Sequence, residues 1–199
     1  MTALDGPSFE SFECRVDNQL LASWIAGAAK CGCTVFKDRV ENCIEILRGL
    51  VQHQNWQLRD VVSNMVLWIP RERNVFADAL ANEALDHKFS FSTEGPRPCP
   101  NDANFVTVSD GACRGGGQSS SAAWAIFAVR GEKLDLVAAG AVLHGFTNSM
   151  DAELSALELA MAALVKLTRG CESIVPHATD VIYEKSEFEK TFKHLWDIS

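Results

Sequence analysis

No apolar run in the 199-residue chain is long enough to cross a bilayer. The first ten residues, MTALDGPSFE, lack the basic start and apolar centre of a signal peptide and the arginines of a transit peptide. Several catalytic signatures are missing too: there is no G-x-S-x-G elbow, no P-loop and no H-E-x-x-H. The five His and seven Cys fall into no zinc-ligand spacing, because Cys31 and Cys33 have no second pair to answer them. Scattered Cys in odd number read as reduced thiols. With the polar start, they set the expectation of an intracellular protein, nuclear or cytoplasmic, without membrane association. Positive charge is short as well. Eighteen Lys and Arg stand against 26 Asp and Glu, a net charge of −8. That excludes a protein holding nucleic acid by phosphate neutralisation alone, and leaves a local basic patch or bound cations.

What is present divides into two halves. In the first (1–87), SFECRV is a short strand candidate ending at Asp17. The helix NQLLASWIAGA follows, with Leu20, Leu21, Trp24 and Ile25 at helical spacing. DRVENCIEILRGLVQHQN is an amphipathic helix with Val40, Ile44, Leu47, Leu50 and Val51 on one stripe. VVSNMVLWI reads as a buried strand stopped by Pro70, and NVFADALANEALD as a helix. Residues 88–104 hold three Pro and read as a linker.

The second half (105–168) opens with the strand NFVTVSD. AAWAIFAV and DLVAAGAVL flank the turn RGEK as a hairpin. SMDAELSALELAMAALVKL is a long helix with Ser149 as its expected cap. In the tail (169–199), SIVPHATDVIY reads as a strand, better suited to an edge because of Pro176, and SEFEKTFKHLW as a helix.

Four carboxylates stand where elements meet. Taken singly, each has a plain reading: Asp110 as the first residue of an Asp-Gly turn, Glu153 as a dipole-favoured first-turn acid, Asp17 as an N-cap, Asp78 as a solvent-facing helix residue. Taken together, Asp110 and Asp17 end sheet strands, while Glu153 and Asp78 lie near the starts of helices that would pack on that sheet. Converging carboxylates repel, and some stay protonated unless cations bind. Two divalent ions roughly 4 Å apart would relieve the repulsion, activate a water and stabilise the leaving oxygen of a phosphodiester.

These stretches resemble the type 1 ribonuclease H family, in particular the forms attached to retroelement reverse transcriptases. VTVSDGACRGGG resembles the family's first strand and glycine turn, and TNSMDAELSALELAMAAL its first helix. CRVDNQLLASWI resembles the fourth strand and following helix, and LWIPRERNVFADALANEAL the fifth strand, loop and last helix. The resemblance implies an α/β fold with a five-stranded mixed sheet, a three-strand antiparallel meander continued by two parallel strands. It implies catalytic and metal-ligating roles for Asp110, Glu153, Asp17 and Asp78, with two Mg2+ or Mn2+ ions, and cleavage of the RNA strand of RNA–DNA hybrids. Substrate contacts fall on Gly111, Arg114, Gln19 and Asn148, and phosphate contacts on Arg71 and Arg73.

The sequence departs from the family in three local ways. The loop IPRERNVFAD has no His, TNSMDAE is one residue longer than the usual Thr-to-Glu spacing, and the chain is acidic. The order also departs: the back of the family's fold precedes its front. A circular permutant and a piece of a tandem array, drawn from a reverse transcriptase polyprotein, both give this order. HATDVIYE weakly resembles a second fourth strand, making Asp180 a rival to Asp17. A single-chain monomer is favoured over a swapped dimer, since each half carries two of the four acids and only part of a sheet. Against the nuclease stand two other readings: a non-catalytic ribonuclease-H-like remnant serving as a nucleic-acid-binding or interaction module, and an integrase-like nuclease acting on DNA.

Overall fold

A computed structural model describes residues 11–53, 65–92, 104–116, 119–145, 148–169 and 181–182. In chain order the elements are β1 (Phe12–Val16), α1 (Gln19–Ile25), α2 (Thr34–His53), β2 (Val66–Trp68), a 3-10 turn (Arg71–Arg73) and α3 (Val75–His87). They continue with β3 (Phe91–Ser92), β4 (Asn104–Arg114), β5 (Ser119–Arg130), β6 (Lys133–His144), α4 (Ser149–Arg169) and β7 (Val181–Ile182).

The strands form one mixed sheet in the order β2-β1-β4-β5-β6-β3-β7. β4, β5 and β6 are an antiparallel meander. β1 runs parallel to β4, and β2 parallel to β1. The expected three-plus-two arrangement is therefore present, but the sheet has seven strands and not five. β3 adds to the free edge of β6, and β7 adds to β3. Residues 91–92 lie within the stretch read as a linker, whose alternation is too short to announce a strand. Both additions are two residues long, and the pairing edge of β6 supplies their order.

Two cores form because strand residues alternate between faces. On one face Phe12, Cys14 and Val16 of β1, Phe105 of β4 and Trp124 and Ile126 of β5 meet α1, α2 and α4. The α2 stripe is buried through Val40, Cys43, Leu47, Leu50 and Val51, with Ile44 partly so. Full burial of each large aliphatic side chain stabilises the fold by roughly 1.5–3 kcal/mol. Arg39 of α2 ties the layer together, donating to Asp151, Ser155 and Glu158 on α4. Among the described helices the opposite face is covered by α3, with Ala77, Ala81 and Ala84 against Ala123, Ala125, Ala139 and Ala141. Small side chains on both sides let the helix approach closely enough for the Ser121 hydroxyl to donate to the Ala81 carbonyl at 2.6 Å.

Three local expectations change. β2 is an edge strand among the described residues, with Val66 buried but Leu67 and Trp68 exposed, because β1 is the one described strand that flanks it. Leu20 faces solvent while Leu21, Trp24 and Ile25 are buried, so the apolar stripe of α1 is narrower than its spacing suggests. The cap of α4 is Asn148, whose Oδ1 accepts from Asp151 N–H at 2.9 Å, one residue before Ser149. The hairpin turn between β5 and β6 has Gly131 first, at φ 62°, as a two-residue turn of type II′ requires. Asp180, the helix expected over 186–196 and the first residues of VVSNMVLWI lie outside the described residues.

Candidate metal centre

The site forms where β1 and β4 lie side by side. Val16 is opposite Ser109, so the next residues along the two parallel strands, Asp17 and Asp110, are neighbours at the same level. Asp110 is on β4, 3% exposed. Glu153 arrives from the second turn of α4, which crosses this point because Gly111 lets it. A Cβ at Gly111 would stand 2.2 Å from the Glu153 nitrogen and 2.4 Å from the Ala152 carbonyl carbon. The Asp-Gly step is thus a point of contact between strand and helix, and the turn comes later, at Gly115 and Gly116 with φ 61° and 65°.

Ligand oxygens of Asp17, Asp110 and Glu153 all lie within 4.8 Å of one another. The cost of that proximity shows in their protonation. Burial, then the charges of Asp17 and Asp78, push Asp110 up to about 8. Burial, then Asp110 and Asp17, push Glu153 up to about 9, against the opposing hydrogen bond from the Gly111 N–H. Oδ1 of Asp17 is buried with no hydrogen-bond partner among the described residues. An all-oxygen, carboxylate-rich set with an unpartnered buried oxygen suits a hard divalent cation. The three carboxylates fit such an ion by donor type, spacing and unrelieved charge.

Asp78 stands outside this group. It lies in the first turn of α3, and Arg71 Nη2 donates to its Oδ1 at 2.6 Å. Its charge still reaches Asp110. The remaining expected residues sit around the group. Gln19 is exposed at the start of α1, two residues beyond Asp17. Asn148 is exposed and caps α4. Arg71 and Arg73 are exposed on the 3-10 turn. Arg114, expected at a substrate, is instead engaged by α3: it donates to Asp86, and to Asn82 Oδ1 at 2.9 Å.

Three further residues shape the site. Asn74, 1% exposed, donates to the Ser109 carbonyl at 3.0 Å and so pins the start of α3 beside Asp110. Its place four residues before Asp78, at a helix start, was the only available signal. Asn82 donates to both the carbonyl and Oδ2 of Asp78, at 2.8 and 3.3 Å. Trp68, 47% exposed, donates its indole N–H to the Asp17 carbonyl at 3.0 Å, a long-range contact with no mark in the sequence.

No protein-family model matches the sequence, and no curated protein sequence matches it. Among solved structures, a PelC dodecamer from Paraburkholderia phytofirmans is similar at 10% identity, over 83% of this chain and 94% of that one, with a TM-score of 0.30. That score is too low to indicate a shared fold.

Proposed function

We propose that the chain is a metal-dependent endoribonuclease with a ribonuclease-H-like fold in permuted order, cleaving the RNA strand of RNA–DNA hybrids and derived from a retroelement reverse transcriptase. The observation that carries this reading is the meeting of Asp17, from the first half, with Asp110 and Glu153, from the second, within one chain. The meander continued by two parallel strands adds support, since three of the four expected carboxylates meet where its β4 and β1 lie side by side. Mg2+ or Mn2+ bound there would supply an activated water and compensate charge on the leaving oxygen.

The chain's own residues have separable tasks. Asp110, the most buried of the three, would hold the ion together with Asp17 and Glu153. The Gly111 N–H holds the Glu153 carboxylate in place. Gln19, beside Asp17, is assigned to the sugar edge, where the 2′-hydroxyl separates RNA from DNA. Arg71 and Arg73 offer exposed cations for phosphates in an otherwise acidic protein. Asp17 is taken as the third carboxylate because it meets Asp110 and Glu153. One observation favours the non-catalytic binding module: Asp78, the fourth acid, is tied to Arg71 rather than joined to the group.

The test is a hybrid with labelled RNA and DNA strands, incubated with purified protein and Mg2+. The RNA strand should be cut and the DNA strand left whole. Asp110→Asn and Asp17→Asn should lose activity by about a hundredfold or more, while Asp180→Asn keeps most of it. Equal cutting of duplex DNA would move the assignment to an integrase-like nuclease. A folded protein that cuts nothing would move it to the binding module. Activity in a species that sediments only as a dimer would move the site between swapped chains.

A further inference from the structure

We infer that Arg71 is a latch on Asp78: it keeps the fourth carboxylate closed to a second divalent ion, so the resting chain takes one ion at Asp17, Asp110 and Glu153. The inference rests on the metal-dependent reading above. Its starting point is an account of oxygens. Both carboxylate oxygens of Asp78 are engaged, Oδ1 by Arg71 Nη2 at 2.6 Å and Oδ2 by Asn82 Nδ2 at 3.3 Å. Asn82 is itself fixed, through its second bond to the Asp78 carbonyl and through Arg114, which is anchored on Asp86. Asp17, by contrast, keeps a buried oxygen with no partner among the described residues. The three-acid group is ready for a cation, and the fourth acid already has one.

The position of Arg71 makes it more than a surface ion pair. Its guanidinium acts on all four acids: on Asp78 directly, on Asp110 and Asp17 through space, and on Glu153 through space. A second divalent ion sharing Asp110 with the first would need an Asp78 oxygen. It would meet a positive charge already at hydrogen-bond distance from that oxygen. The hold is releasable. The Arg71 side chain is 72% exposed on a short turn, and a pair with one member so open to water is weak. Arg71 therefore sets how many ions the site takes before substrate arrives.

The full chain, without nucleic acid and at low salt, would be titrated with Mn2+ by calorimetry, with free ion counted by electron paramagnetic resonance. Wild type should bind one ion tightly and a second about tenfold or more weakly. Arg71→Ala and Arg71→Gln should each strengthen the second ion by about tenfold and the first by less. Arg71→Lys, which keeps the charge, should retain most of the wild-type gap. Adding Asp78→Asn to Arg71→Ala should erase the gain. Two equally tight ions in wild type, or a second affinity unmoved in both Arg71→Ala and Arg71→Gln, would overturn the latch and leave the metal centre standing. No bound ion in wild type would overturn both, and a first ion that survives Asp110→Asn would overturn the metal-dependent reading at this group.

Discussion

Raising the pH of the metal-free chain should weaken its fold, and Asp110→Asn should lessen the effect. In the folded chain Asp110 titrates at about 8 and Glu153 at about 9, above the ordinary values of 3.8 and 4.5. Raised carboxyl values mean that the folded state holds protons the unfolded state has lost. The stability is therefore fully present below about pH 4 and is lost as pH rises toward 8 and 9. Keeping one proton on Asp110 from about pH 4 to pH 7, at 1.36 kcal/mol per pH unit, costs about 4 kcal/mol. For a chain of this size that corresponds to a fall in Tm of about 10 °C. The assay is thermal unfolding by circular dichroism between pH 5 and pH 8 in chelator, then with Mg2+ or Mn2+. Wild type should melt progressively lower as pH rises, and metal at about a hundred times its dissociation constant should return about 2.7 kcal/mol. Asp110→Asn keeps the shape and removes one acid. Metal-free at pH 8 it should melt higher than wild type and gain little from metal. A wild-type profile no steeper than the variant's, or a variant less stable than wild type at pH 8, would refute the reasoning.

Two other outcomes follow from contacts in the fold. Gly111→Ala would drive a Cβ into the backbone of α4 at Ala152 and Glu153; backbone cannot yield as a side-chain tip does, so urea unfolding should show a loss of about 2–3 kcal/mol and the metal response should fall with it. Arg39→Ala strands Asp151 and Glu158, both about three-quarters buried, and should cost about 1–3 kcal/mol in the same assay while leaving metal affinity nearly unchanged.

The sequence was most informative where a pattern is enforced locally. The α2 stripe and the β5–β6 hairpin follow from side-chain period and turn chemistry, which need no knowledge of neighbours. The trio of Asp17, Asp110 and Glu153 was legible from the short motifs around each acid, although only Asp17 sits at an element end: β4 continues four residues past Asp110, and Glu153 lies in the second turn of α4. Sheet position was not legible. VLW looks like a buried strand, but burial of Leu67 and Trp68 depends on what lies beyond β2, and among the described strands nothing does. Leu20 shows the same gap on a helix. Asp78 is the instructive case at the site. Its place in the first turn of α3 could be anticipated, but its capture by Arg71, seven residues earlier, depends on how a 3-10 turn folds back. Asn74 and Trp68 act through main-chain carbonyls of distant strands, and such partners leave no periodicity behind.

The pairing of β1 with β4 has a consequence for the chain while it is being made. Phe12 is opposite Phe105, 93 residues later. At 5–20 residues per second, β1 waits roughly 5–20 s for its inner neighbour to leave the ribosome. Throughout that interval β1 and β2 are at most a two-stranded ribbon, which water readily dissolves. The apolar stripe of α2 has no α4 to lie against, and the alanine face of α3 has no meander beneath it. Until β4 is made, the apolar faces of the first half lack the strand and helices that bury them, whereas a rearranged gene that encoded the meander first would present a template for β1 as soon as β1 was made. The two gene orders would reach the same sheet, but would leave different apolar surfaces uncovered on the way.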